Sequence, residues 1–340
     1  MATEWMTRGH EAWGRGALGE AGECYRRGLK ASERGANDDG IARACSCLGT
    51  VAYLRGDLTE AKAYHRRSLA YFGRRADQVG ALYAWINLGE VALYQGNLTQ
   101  ADAYDRRSLA GAESIGHQLG IAVSRTNLGE VACDRGDLTA AFGWCRGARL
   151  LARRIDLRDE ETRATLGQAR VRLRAGRLRA ARALVERAQA LVDEHGLALL
   201  AVQPIRLLAE VQLLQGDLDA AQAAADETLR LATAGGRRRE QALAHRLLGQ
   251  CLLRGGSAAG AVEHLRAALN LQVAMGAALE AARTRVVLAA AAATATQAGN
   301  EGKPMEEARA LLAEAMVSFM TSGATLDRHQ ASSLAAAWST

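Results

Sequence analysis

Several short stretches have residue types and spacings that do chemistry in other proteins. Gly14-Arg15-Gly16-Ala17-Leu18-Gly19 has the G-x-G-x-x-G form of loops that cradle a pyrophosphate. Such a loop works only between a strand and a helix in a βαβ unit. Here it falls between two helical patterns and reads as a turn. Gly255-Gly256-Ser257 is also a turn, because no Gly-Lys-Ser/Thr follows it. The histidines, His10, His65, His117, His195, His245, His264 and His329, lack the H-E-x-x-H spacing that puts two ligands on one helix face. The cysteines, Cys24, Cys45, Cys47, Cys133, Cys145 and Cys251, contain no C-x-x-C pair. Cys45 and Cys47 are two apart and point in different directions on a helix, so a shared metal is not expected. Neither metal nor cofactor is predicted. Asn97-Leu98-Thr99 is a glycosylation sequon, but Asp57-Leu58-Thr59 and Asp137-Leu138-Thr139 fill equivalent slots. A helix cap explains all three. No nucleophile-elbow, kinase or deaminase motif is present, and no catalytic residue is assigned. Only a constellation gathered from distant segments would escape a test of spacing.

The elements that carry these residues follow from composition and from a repeat. The chain has 340 residues, 49% apolar but only 4% aromatic, with two prolines, which excludes a β-sandwich or barrel. The formal charge of +6 comes almost wholly from arginine, since the lysines are Lys30, Lys62 and Lys303. Acidic and basic residues are interspersed, and the short run Arg237-Arg238-Arg239 reads as a solvated turn, so nucleic acid is not an expected partner. The first residues lack the basic-then-apolar order of a signal peptide, and the Leu-Ala-rich stretch 286–296 is too short to span a bilayer. A cytoplasmic, reducing setting without membrane contact is predicted, with the cysteines as small core or groove residues.

Gly16, Gly56, Gly96, Gly136, Gly176, Gly216 and Gly256 form a ladder with a spacing of 40. An alanine follows each rung by five residues, from Ala21 to Ala261, and a small residue precedes it: Gly9, Gly49, Gly89, Gly129, Ala169, Ala209 and Gly249. Each unit reads as one helix closed by a left-handed glycine, then a second helix capped by Asp57, Asn97, Asp137 or Asp217. Such hairpins bury their apolar faces only by stacking. The units are placed near 2–40, 41–80, 81–120, 121–160, 161–200, 201–240, 241–280 and 281–325, with 326–340 as a C-terminal capping helix. In the last unit the turn, Gly299 to Pro304, arrives late. The first helix has already begun at residue 2, so either the first repeat is atypical or an upstream domain, a partner or a second copy forming a homodimer covers that end.

This unit resembles the tetratricopeptide repeat (TPR), whose pattern runs W-x2-L-G-x2-Y, then A-x3-F, then P. Trp85-Ile86-Asn87-Leu88-Gly89 matches its first part, Leu48-Gly49, Leu128-Gly129 and Leu248-Gly249 keep the Leu-Gly pair, and Ala21 with Tyr25 matches the second part. The Tyr position holds Ala52, Ala92 and Ala132, and the closing proline is missing. The period exceeds the usual one by about six residues. The long form is similar to the extended repeats of spindle-orientation adaptors, kinesin light chains, bacterial maltose-type transcription activators and pheromone-binding regulators. The resemblance spans residues 2–280 and implies an all-α fold: a right-handed TPR solenoid of about eight antiparallel helix hairpins.

In TPR proteins the first helix of each hairpin lines a concave groove that binds ligands. Carried over, the groove positions include Asn87 and Asn127, which resemble asparagines that grip an extended peptide's backbone. One side-chain amide offers both a donor and an acceptor. A bond to a neighbouring helix is the other reading of these asparagines. Further along the same helices stand Glu90, Glu130 and Asp134. Later repeats place Arg163, Arg170, Arg174, Arg206, Arg246 and Arg254 at matching positions. A groove acidic at its centre and basic beyond is predicted, and its arginines suit carboxylate or phosphate.

The function expected from these residues is a non-catalytic scaffold that binds a protein or peptide with acidic groups in its groove. A ligand-sensing part of a bacterial transcriptional or signalling regulator is the alternative. An enzyme or biosynthetic accessory protein with a site in the groove is the third reading, and no motif supports it.

Overall fold

The computed structural model describes residues 2–296 and 303–338, all in helices and short turns, with no strand among them. The helices run in antiparallel hairpins: α1 (Ala2–Gly14) with α2 (Leu18–Arg34), α3 (Asp38–Arg55) with α4 (Leu58–Arg74), α5 (Gln78–Tyr94) with α6 (Leu98–Ser114), and α7 (Gln118–Arg135) with α8 (Leu138–Arg154). They continue as α9 (Arg158–Arg174) with α10 (Leu178–His195), α11 (Val202–Gln215) with α12 (Leu218–Ala234), and α13 (Arg238–Arg254) with α14 (Ala258–Met275). The last are α15 (Ala278–Thr296), α16 (Lys303–Ser322) and α17 (Thr325–Ala337). Each helix packs on its neighbours in the chain, which makes an all-α solenoid. The late turn expected at Gly299 to Pro304 lies, up to residue 302, outside the described residues.

Every rung glycine from Gly16 to Gly256 has positive φ, as a left-handed helix stop requires. A second ladder closes the other helix of each hairpin: Ala36, Ala76, Gly116, Asp156, Gly196, Gly236 and Gly276, again with positive φ. Its alternation of residue types hid it from a search for glycine. Asn97, Asp137 and Asp217 cap their helices by accepting from the backbone N–H three residues on. Asp57 departs from that expectation. It makes no cap bond, and its carboxylate instead meets Arg238 at 3.1 Å.

The preceding small residues have a packing cause. A methyl group added at Gly9, Gly49, Gly89, Gly129 or Gly249 would overlap Tyr25, His65, Asp105, Cys145 or Leu265, the residue sixteen positions later in each case. Where alanine replaces glycine, at Ala169 and Ala209, the residues sixteen positions later are Val185 and Ala225. The glycines thus make room for the side chain sixteen residues on.

The solenoid also closes on itself. Helix α3 touches α13, α5 touches α15, and α7 touches α17. Met275 lies against Gly56, and Thr325 and Leu326 lie against Gly136. One apolar cluster joins Leu93, Leu98 and Val131 of the early hairpins to Leu279, Phe319 and Ala331 of the last helices. The concave face is therefore walled on both sides and filled largely by its own side chains.

Candidate functional site

The odd-numbered helices turn their inner faces toward one axis, and two regions of opposite charge result. The first lies across α5, α7 and α9. Arg163 donates to Glu90 at 2.8 Å and to Asn127 at 3.3 Å, and reaches Glu160 at 3.5 Å. Asn127 in turn donates to Asp105 at 3.3 Å, and Thr126 donates to Glu160. Burial pushes the Asp105 carboxyl well above its ordinary value, against the Asn127 hydrogen bond, and burial also raises Glu160. Arg163 is held charged by Glu90 and Glu160 in spite of burial. Both ends of the Asn127 amide are thus engaged within the protein. Asn87 is half-buried and makes no side-chain hydrogen bond among the described residues. Glu130 is half-buried on the same face.

The second region is basic. A cavity of about 360 Å³ is lined by Arg170 and Arg174 of α9, Arg206 of α11, Arg239, Arg246 and Arg254 of α13, and Arg283 of α15. Its carboxylates are Glu210, Glu280 and Asp327. Asp134 and Glu240 stand just behind and pair with Arg170 and Arg206. The arginines still outnumber the acids. Leu173, Leu207, Leu243, Leu247, Val286 and Phe319 supply the apolar walls. Gln250 and Gln330 add neutral amides. The result is a mainly polar cavity with convergent cationic forks and some apolar wall, suited to an anionic ligand that carries aliphatic groups.

A repeating device holds these arginines. Arg206 donates to Glu240 at 2.9 Å, and Arg246 donates to Glu280, each partner lying thirty-four residues on and on the next inner helix. Thr126 and Glu160 form the corresponding rung in the acidic region. Arg254 donates to the Leu213 carbonyl. Arg283 is the hub: it donates to Asp134 at 2.8 Å, to Glu280 at 2.6 Å and to both oxygens of Asp327 at 3.0 Å. Burial works to raise Asp134 and Glu280, yet Arg170 with Arg283, and Arg246 with Arg283, hold them below their ordinary values. Arg283 and Arg174 likewise overcome burial and hold Asp327 at about 2.

The structure brings Arg170, Arg174, Arg206, Arg246 and Arg254 together around the cavity and places Asp134 beside them. Asn87, Glu90, Asn127, Glu130 and Arg163 stand apart from it, in the acidic region. Sequence reasoning missed Arg239, Glu280, Arg283 and Asp327. The thirty-four-residue offset of Arg246 and Glu280 was a usable signal. The contacts of Arg283 and Asp327 across the closed solenoid left none. The short basic run is also no free turn: Arg239 donates to the Tyr53 hydroxyl at 2.9 Å and lies over the Tyr94 ring, while Arg237 bonds the Leu199 carbonyl. The histidines include one pair that spacing did not show, His245 and His264, with their Nδ1 atoms 3.1 Å apart. No group of three or more metal-ligating side chains occurs among the described residues. None of their helices is long and apolar enough to cross a membrane.

The family model described as the MalT-like TPR region matches residues 37–206. The chain belongs to this TPR family. A search of curated proteins finds no match. Among solved structures, the Rap conjugation gene regulator of plasmid pLS20 in complex with the Phr* peptide is similar, with TM-score 0.64 and 17% identity over 82% of this chain and 75% of that one. A Rap protein complexed with Competence and Sporulation Factor gives TM-score 0.62 and 11% identity over 98% of this chain and 97% of that one. NprR in complex with its cognate peptide NprX gives TM-score 0.58 and 14% identity over 74% and 72%. At these identities the likeness carries the TPR fold alone.

Proposed function

We propose that this TPR protein is a non-catalytic binding module that holds a peptide with acidic groups in its concave cavity. The observation that carries the reading is the excess of arginine over carboxylate around a cavity of about 360 Å³ that also has leucine walls. The peptides named in the complexes of similar fold support the choice of ligand class. In this reading Arg206, Arg246 and Arg254 meet ligand carboxylates, with Arg170 and Arg174 beside them. Leu207, Leu243 and Leu247 take aliphatic side chains. Asn87, Glu90, Asn127, Glu130, Asp134 and Arg163 form the continuation of the groove, and Asn87 is its backbone-gripping residue. Residues 2–325 form one superhelical unit with 326–340 as its cap. The setting is the cytoplasm, where free thiols such as those of the buried Cys45 and Cys133 persist.

Fluorescence titration with an acidic hexapeptide library tests the reading. Arg206→Gln and Arg254→Gln are expected to weaken capture by about tenfold each, and Asn87→Ala by less. Capture unchanged by all three substitutions overturns it. A second reading makes the module the sensing part of a regulator, favoured by the likeness to a structure named as a conjugation gene regulator. It predicts that deleting the gene changes the host's transcript profile, and an unaltered profile counts against it.

A further inference from the structure

Helix α17 carries one charged side chain into the basic cavity. Arg283 grips Asp327 as a fork, Nε to Oδ1 at 3.0 Å and Nη2 to Oδ2 at 3.0 Å, and Arg174 adds Nη2 to Oδ2 at 2.8 Å. Paired N–H donors matched to two coplanar oxygens are the geometry of carboxylate recognition. Asp327 is 7% exposed. The other acids of the hub, Asp134 and Glu280, stand on α7 and α15 within the body of the solenoid. Asp327 stands on a helix of 13 residues whose buried residues are Asp327 and Ala331. Separately, at the end of α7, the Thr325 hydroxyl donates to the Arg135 carbonyl at 2.6 Å, and Leu326 lies against Gly136. The joint to α16 is short and includes Gly323 with φ of +78°. The ion pairs tie α17 to α9 and α15, beside the apolar packing of Ala331 and Leu334 in the cluster shared with the early hairpins.

We propose that Arg174 and Arg283 form a carboxylate-binding site that Asp327 fills from within, and that a ligand carboxylate competes for the same two guanidiniums and releases α17 from α9 and α15. The inference rests on the reading of the cavity as the ligand site. Exchanging one carboxylate for another leaves the charge of the hub unchanged, so Arg174 and Arg283 keep a partner throughout. The leucine walls then supply the margin by which a ligand displaces the internal group. The lowered pKa of Asp327, set by Arg283 and Arg174 against burial, agrees with a site that selects the charged form.

The test uses the full chain and two readouts. Amide hydrogen exchange compares wild type with Asp327→Asn and Asp327→Ser, the serine serving where an asparagine oxygen would still hold Arg283. Exchange across α17 is expected to rise about tenfold in both variants while α9 and α11 keep their protection. Unchanged protection of α17 overturns the latch. Fluorescence anisotropy then follows a labelled hexapeptide library of leucine, valine, aspartate and glutamate with free C-termini. Both variants are expected to bind it about tenfold more tightly than wild type. Equal affinities overturn the competition and leave the cavity reading standing. Absence of binding to wild type and variants alike overturns the cavity reading and, with it, the competition. Saturating peptide is expected to speed α17 exchange in the wild type, and slower or unaltered exchange there overturns the release.

Discussion

The acidic and basic regions of the concave face are built from equivalent positions of one repeat, yet they resolve burial of charge in opposite ways. Across α5, α7 and α9, Glu90, Glu160 and Asn127 surround Arg163, and Asp105 lies behind with a raised pKa. Burial there is met by carboxyls drawn toward the neutral form. Across α9, α11, α13 and α15, arginines cannot shed their charge, and they hold Asp134, Glu280 and Asp327 below their ordinary values in spite of burial. In the acidic region Arg163 and Asn127 are engaged within the protein, and Asn87 has no side-chain hydrogen bond among the described residues. The basic region retains both a volume and surplus cations, and a ligand site requires both.

The comparison predicts unequal costs for removing each hub arginine. Arg283→Met leaves three buried acids without their shared cation and should cost about 3–5 kcal/mol in chemical denaturation. Arg163→Met should cost less, and its loss should shrink between pH 7 and pH 5, because Asp105 and Glu160 take up protons more readily. Equal losses with no pH dependence would sink the distinction.

Acid should separate the regions next. Asp327 has a folded value of about 2 against an ordinary 3.8, so its contribution is fully present above the ordinary value and disappears as pH falls through about 2. The contribution is about 2 kcal/mol. Hydrogen exchange should show α17 protected at pH 5 and loosened progressively below about pH 4. Loosening that begins near pH 6 would assign the hold on α17 to another group.

Asp105 has the opposite sign. Its raised folded value contributes stability below the ordinary value, lost as pH rises through the folded one. Asp105→Asn keeps an oxygen for Asn127 and removes the buried charge, so it should raise stability at pH 8 by about 1 kcal/mol and do little at pH 4. A destabilised variant at pH 8 would mean that the carboxylate is ionised and satisfied.

The smallest effect lies outside both regions and gives the baseline. Ala76 has φ of +52°, so Ala76→Gly should relieve about 0.5–1 kcal/mol at every pH and leave ligand capture unchanged. A pH-dependent gain there would show that backbone relief and charge are coupled along the solenoid.

The spacing of 40, the left-handed rungs and the small residues before them, such as Gly89, were legible in the sequence, while the side chains they make room for, such as Asp105, came from the structure. Helix stops, caps and hairpin packing act over a few turns of chain, and a repeat prints them many times. The alternation of acidic and basic groove positions was legible for the same reason. Only the tertiary structure decided that the solenoid closes, that Arg283 gathers Asp134, Glu280 and Asp327, and that Asn127 is bonded to Asp105 and Arg163. The hub joins residues 149 and 44 positions apart, distances set by the curvature that many hairpins accumulate and by a last unit out of register. Local periodicity specifies each hairpin, but the summed rotation between hairpins decides which inner faces meet.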